Sequence, residues 1–324
     1  MFSKLIKTSV PTNFIFIPFF VLTGFWSVFS DGLKISWSKN SSILFSVFPV
    51  QFFNNNLTSI FSILLIIVIS ILLISFTTEH FHGIMGNVLP TVIFLMISSQ
   101  LIWVTSQGTS LISVLLFLFI IRNIFRVYHQ ANVFNLIFNA GFLTGLSVII
   151  YLPSALLLIY CWFTITLLKQ FNFREFLTVL LGFLLPFIFT HALFFIFGKE
   201  QILFNTIYDN IKLISFNYPN YKLIVWLLLF SILLLWSAIN SSISGVLKKI
   251  AIRRYFYSFM FLILIYTTSL FSVYDDKGML VFMLIPATYI ISFSIASIRN
   301  KTVADVTIII LIVAQTFAQL HFGE

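Results

Sequence analysis

The chain has 324 residues, of which 60% are hydrophobic, 18% are aromatic and only 8% are charged. A soluble domain carries about 25% charged residues, so this composition excludes a soluble globular protein. Apolar stretches long enough to cross a bilayer recur along the whole chain, and nearly all charges fall between them. The sequence therefore predicts an all-α, polytopic membrane protein with one integral membrane domain over residues 1–324.

The net charge of +9 would suggest a nucleic-acid partner in a soluble protein. Here the basic residues lie in short loops beside apolar spans, which is typical of the positive-inside pattern, so membrane lipids are expected as partners and nucleic acid is not. The single cysteine, Cys161, lies within an apolar run. It cannot form an intrachain disulfide or a multi-thiolate metal site.

The apolar stretches predict about eleven transmembrane helices, within a range of ten to twelve. The first, after Lys4 and Lys7, is expected to be an uncleaved span rather than a signal peptide, because it is bulky and contains Pro18. The predicted spans are Phe14–Phe29, Leu57–Phe76, Val88–Val104, Ser110–Ile124, Val133–Ile150, Pro153–Leu168, Phe176–Phe197, Leu223–Ile239, Tyr255–Val273, Met279–Ile298 and Val303–Gln319.

The distribution of basic residues predicts a cytoplasmic N-terminus. With that orientation, 12 of the 18 Lys and Arg residues, including all six arginines, fall on the inner side. No charged residue lies at the centre of a span, whereas ion-coupled transport usually needs one. Five polar residues at depth are expected to act as interhelical hydrogen-bonding groups or to lie at the membrane interface, rather than to bind an ion. They are Gln100, Asn139, His191, Asn240 and Gln315.

Three predicted outer segments concentrate functional groups. The first, residues 30–56, begins with Asp31 and includes Lys34 and an apolar patch at Ile43–Phe53 that has the character of an interfacial helix. The second, residues 198–222, carries further polar groups, among them Glu200. The third, residues 274–278, contains an acidic pair.

A functional interpretation joins these segments into one site at the lipid boundary. Asp31 would act as general base on an acceptor hydroxyl, and Asp275 with Asp276 would offer carboxylate oxygens to a divalent cation. Lysines and tyrosines nearby would hold a lipid-linked phosphate. The residues predicted to bind the substrate are Lys34, Tyr208, Asp209, Lys212 and Lys277. The alternative is that Asp31 is a solvated loop residue and that residues 275–278 form a tight turn.

Two other charged groups have structural interpretations. Glu79, His80 and His82 form a pattern that resembles a metal cluster, but it lies at an inner membrane edge without a fourth ligand nearby, so an interfacial role is expected. Four cations near one another are expected to anchor the topology by facing anionic lipid. They are Lys248, Lys249, Arg253 and Arg254.

The common hydrolase, phosphate-loop, metalloprotease and Cys-x-x-Cys motifs are absent from the sequence. The middle of the chain instead combines Arg122-Asn-Ile-Phe-Arg126, Phe138-Asn-Ala-Gly-Phe-Leu-Thr-Gly-Leu146, Tyr151-Leu-Pro153 and Gly182-Phe-Leu-Leu-Pro186. This arrangement resembles the membrane core of GT-C glycosyltransferases. It also resembles a family of uncharacterised multi-span inner-membrane proteins from Bacteroidota. Gly141 and Gly145 leave a small-residue face for close approach of another helix.

The resemblance implies a bacterial inner-membrane protein with a polyprenyl-phosphate-sugar donor and an extracytoplasmic active site. The family's catalytic acid lies in the first outer loop, where Asp31 is the matching carboxylate. Two features depart from the family: the loop lacks a second acid, and no arginine reaches the outer side. Lysines would then hold the phosphate as point charges.

Two hypotheses about function stay open. In the first, the protein transfers a sugar from a lipid-phosphate carrier on the outer face. In the second, the same core forms a non-catalytic membrane subunit that docks with other inner-membrane proteins in an envelope complex for secretion or protein insertion. A transporter or lipid flippase is a third, less favoured class.

Overall fold

The computed structural model is an α-helical bundle. It describes residues 42–44, 55–82, 84–86, 88–105, 109–128, 130, 132–199, 201, 204–208, 221–243, 246–271, 277–298 and 302–311. The helices are α1 (Asn55–His80), α2 (Leu89–Thr105), α3 (Thr109–Arg126), α4 (Phe134–Ile150), α5 (Leu156–Leu168), α6 (Phe173–Ile196), α7 (Tyr221–Ile243), α8 (Ile250–Phe271), α9 (Leu284–Ser297) and α10 (Thr302–Leu311). Short 3-10 turns at Leu152–Ala155 and Lys277–Met283 lead into α5 and α9.

Each predicted apolar span from Leu57 onward coincides with one of these helices, so the helical class is confirmed. The predicted first span lies outside the described residues. Five helical segments are long and apolar enough to cross a membrane by length and composition, which makes this a multi-pass membrane protein. They are Ser59–His80, Thr109–Arg126, Phe173–Ile196, Ile250–Thr268 and Gly278–Ser297.

The segment Gly278–Ser297, called the central segment below, forms the middle of the bundle. Nearly all of its residues are buried inside the protein, and it packs against α2, α3, α7 and α8. Its aromatic side chains interleave with those of its neighbours: Tyr289 stacks on Phe259 of α8, and Tyr266 of α8 stacks on Phe282. The central segment is therefore a packed core element rather than the wall of an open passage.

Close packing of α4 against α6 depends on three glycines. A Cβ atom on Gly141 would overlap the backbone oxygen of Val179, and one on Gly145 would overlap that of Phe183. On the opposing helix, a Cβ atom on Gly182 would overlap the backbone oxygen of Phe138. The predicted small-residue face of α4 is confirmed, and Gly182 supplies the matching face of α6.

One predicted interhelical hydrogen-bonding residue is confirmed. The Asn240 side chain of α7 donates to the Ser294 hydroxyl of α9 at 3.0 Å and to the Ser297 hydroxyl at 3.4 Å. Two others, Asn139 and His191, are exposed on the bundle surface, and His191 contacts the ring of Phe204. For these two residues the interfacial alternative stays a prediction. The side chains of Gln100 and Gln315 lie outside the described part.

Candidate functional site

Most of the predicted site residues fall outside the described structure. This group comprises Asp31, Lys34, Asp209, Lys212, Asp275 and Asp276. Lys277 begins the 3-10 turn before α9, and only its backbone is described. Tyr208 is described at the end of a short helical stretch, with 63% of its side chain exposed. The roles of all these residues stay predictions.

The structure does bring two of the predicted outer loops together. Ile43 comes from the 30–56 loop and is buried in a small cluster with Ile149 of α4 and Phe194 of α6. Ile207 comes from the 198–222 loop and packs against the same cluster. Tyr208 follows directly, so one substrate-binding candidate lies beside the point where the two loops meet. We call these four apolar residues the loop junction.

A second polar region lies where α1 and α3 end. The last turn of α1 carries Glu79, whose two carboxylate oxygens each accept a hydrogen bond from an arginine of α3. Arg122 donates its Nε–H at 2.7 Å, and Arg126 donates its Nε–H to the other oxygen. Because residues four apart lie on one helix face, both guanidinium groups reach the same carboxylate. We call these three residues the arginine clamp.

Aromatic side chains pack behind the arginine clamp. His80 lies next to Glu79, and its ring contacts Phe76, Phe125 and Tyr255 at centroid distances of 4.7 to 5.9 Å. The ring of Tyr255 stacks on Phe125 at 4.0 Å, and its hydroxyl donates to the Phe125 backbone oxygen at 3.2 Å. These contacts join the ends of α1 and α3 to the beginning of α8.

The same region continues toward α5 and α6 through two more cations. Arg254 of α8 donates to the backbone oxygen of Leu168 at 2.7 Å, and its guanidinium lies 5.7 Å from the ring centroid of Tyr128. Lys169 forms an ion pair of 2.8 Å with Glu175, which is buried in the first turn of α6. Arg254 therefore closes the end of α5, whose last carbonyls lack intrahelical donors. The prediction of a lipid-facing anchor did not include this contact.

The pattern of Glu79, His80 and His82 does not form a metal site in the structure. Glu79 is engaged by the two arginines, and the described residues contain no group of three potential metal-ligating side chains. The ring of His80 packs among aromatic side chains, and His82 is exposed. The interfacial role of this stretch stays a prediction.

Sequence reasoning missed the pairing of Glu79 with Arg122 and Arg126. It treated the arginines as topology signals and Glu79 as part of a histidine pattern. The sequence did contain a signal for this pairing. Glu79 is the only acid between Asp31 and Glu175, and two arginines spaced by four residues lie at the end of α3. Only the packing of α1 beside α3 shows that these charges meet.

The comparisons with known proteins assign no family. No protein-family model, no curated protein and no solved structure matches this chain. What the fold shows by itself is a helical protein with several membrane-length apolar helices.

Proposed function

We propose that this chain is a bacterial inner-membrane protein that acts on a lipid-linked substrate where the 30–56 and 198–222 loops meet. In this proposal it is a GT-C-like transferase that takes a sugar from a polyprenyl-phosphate donor on the extracytoplasmic face. The observation that carries the proposal is the loop junction, because Ile43 and Ile207 reach one cluster from two separate loops. A single site formed by both loops requires that they lie next to each other in this way.

In the proposed reaction, the Asp31 carboxylate accepts the proton of an acceptor hydroxyl as that oxygen attacks the anomeric carbon of the sugar. The bond from the anomeric carbon to the carrier phosphate breaks, and the polyprenyl phosphate leaves with the bonding electron pair. Lys34, Lys212 and Lys277 would stabilise the phosphate charge. Tyr208 and Asp209 would hydrogen-bond the sugar, and Asp275 with Asp276 would bind a divalent cation beside the phosphate.

A second candidate, a non-catalytic membrane subunit, is favoured by a different observation. The central segment is filled by large aromatic side chains, while α6 exposes an apolar surface along most of its length. A rigid core with a broad apolar flank suits docking within a membrane complex. In that case the outer loops would bind protein partners rather than a carrier lipid.

Extraction of the tagged protein in mild detergent, followed by mass spectrometry of what co-purifies, separates the two candidates. A bound polyprenyl phosphate without a stoichiometric protein partner is expected for the transferase. A fixed set of protein partners without carrier lipid would overturn the transferase and support the subunit.

The variant Asp31→Asn tests the catalytic role directly. A transferase with this substitution is expected to keep its expression level and its bound carrier lipid, while the glycosylated carrier accumulates because transfer stops. Glu200→Gln is the matched control, since it neutralises another acid of the outer loops to which no role is assigned. Equal carrier levels in Asp31→Asn, Glu200→Gln and the unchanged protein would contradict the role of Asp31.

A further inference from the structure

The arginine clamp has N–H donor groups that form no hydrogen bond with the described residues. Arg122 and Arg126 each donate only their Nε–H to Glu79, and no described residue accepts a hydrogen bond from their Nη atoms. We propose that these Nη groups bind the phosphate of an anionic phospholipid. The clamp is thus a lipid headgroup site at the bundle end opposite the loop junction.

The charge balance of the clamp favours an anionic ligand. Two guanidinium groups share one carboxylate, which leaves one positive charge uncompensated at this point. Arginine binds phosphate in a planar, bidentate manner through neighbouring N–H groups. Glu79 binds the Nε–H group of each arginine and so fixes the rotamers of both side chains. Little conformational entropy is therefore lost when a phosphate binds their Nη groups.

The location of the clamp favours a lipid over a soluble anion. Glu79 lies in the last turn of a membrane-length helix, and Arg122 and Arg126 lie in the last two turns of another. Side chains at the ends of such helices reach the depth of phospholipid headgroups. All three clamp side chains are partly exposed, at 26% for Glu79, 32% for Arg122 and 40% for Arg126.

Neighbouring groups extend the same surface. Tyr128 follows Arg126 by two residues, and Arg254 lies over its ring. The guanidinium of Arg254 adds positive charge to this surface. The carboxylate of Glu175 forms an ion pair with Lys169, the residue that follows α5.

The test uses the full chain in nanodiscs that contain either phosphatidylcholine alone or phosphatidylcholine with 20% phosphatidylglycerol. Native mass spectrometry then counts the lipids that stay bound on release. Wild-type protein is expected to retain phosphatidylglycerol several-fold over its share of the bilayer. The double variant Arg122→Lys with Arg126→Lys keeps both positive charges but loses the guanidinium groups that bind phosphate in a bidentate manner. It is expected to lose most of the preference for phosphatidylglycerol.

A matched control is the double variant Arg174→Lys with Arg253→Lys, which changes two exposed arginines in the same predicted membrane leaflet whose side chains form no hydrogen bond or ion pair with a described residue. It should retain lipid as the wild type does. If the clamp double variant does not fold, Arg122→Lys alone leaves the Arg126–Glu79 pair intact and is expected to show an intermediate loss.

Three results would overturn the proposal. The first is an absence of preference for phosphatidylglycerol over phosphatidylcholine in the wild type. The second is an equal loss of preference in the clamp and control variants, which would indicate only a general attraction of basic residues. The third is displacement of bound phosphatidylglycerol by millimolar inorganic phosphate, which would make the clamp a site for a soluble anion.

Discussion

The central segment and α6 have similar length and nearly equal mean hydropathy, yet the bundle uses them in opposite ways. Nearly all residues of the central segment are buried in protein, whereas most residues of α6 are not. Both are apolar all round, so apolarity alone does not tell which helix is surrounded by protein. In a membrane, lipid and protein interior are equally apolar environments.

What distinguishes the two helices is how they make contact. The central segment is held by large aromatic side chains that interleave with rings of neighbouring helices. In contrast, α6 uses a narrow stripe of Val179, Gly182 and Pro186 against the glycines of α4. No hydrophobic driving force acts between helices in a membrane, so close van der Waals packing must provide the association energy. In the central segment, aromatic rings that fill the space between helices provide this packing. In α6, the short distance to the backbone of α4 provides it.

The largest expected effect comes from removing volume in the middle of the bundle. Phe293 of the central segment is fully buried, and its ring contacts Phe81 at 5.2 Å. Phe293→Ala should destabilise the protein by roughly 3 kcal/mol, at the low end for a core phenylalanine because transfer from lipid contributes less than transfer from water. Reversible unfolding in mixed micelles measures the change.

The paired control for this prediction is Phe189→Ala in α6, because 61% of that side chain is exposed. It is expected to change the free energy of unfolding by about 0.5 kcal/mol or less. Similar losses for Phe293→Ala and Phe189→Ala would mean that a partner surface, rather than lipid, covers α6.

A somewhat smaller effect is expected at the contact of α4 with α6. Gly182→Ala places a Cβ atom against the backbone oxygen of Phe138, which cannot move away without separating the helices. We expect a loss of about 1–3 kcal/mol, the usual range for overpacking. The neighbouring change Leu181→Ala, on the exposed face, introduces the same residue without the clash. A stability of Gly182→Ala equal to that of Leu181→Ala would show that the helices are not in close contact.

The smallest predicted effect concerns a polar contact of the central region. Asn240→Ala removes hydrogen bonds between α7 and α9, and interhelical hydrogen bonds in membranes average about 0.6 kcal/mol. Ser242→Ala is the control, since its hydroxyl bonds only to Ala238 within its own helix at 2.9 Å. A loss above about 2 kcal/mol for Asn240→Ala would indicate that the buried acceptors of α9 depend on it.

The sequence predicted the helices well because a membrane span must form all of its backbone hydrogen bonds within the protein. For a single long apolar segment, the α-helix is the structure that does this. It also predicted the face of Gly141 and Gly145, since small residues four apart have few other uses in a membrane helix. The candidate site was harder. Asp31 and the lysines were chosen as site residues only because they lie in loops next to predicted spans. No periodic pattern of residues in the sequence indicates which loops lie close together.

By itself, the sequence determined the class of this protein: apolar length and sparse charge demand a multi-pass helical bundle. Only the tertiary structure decided which helix lies at the centre, because every helix is apolar on all sides. It also decided that Glu79 joins Arg122 and Arg126, and that Ile43 and Ile207 pack in one apolar cluster. Those contacts join residues far apart in the chain, and local patterns carry no information about which distant residues become neighbours.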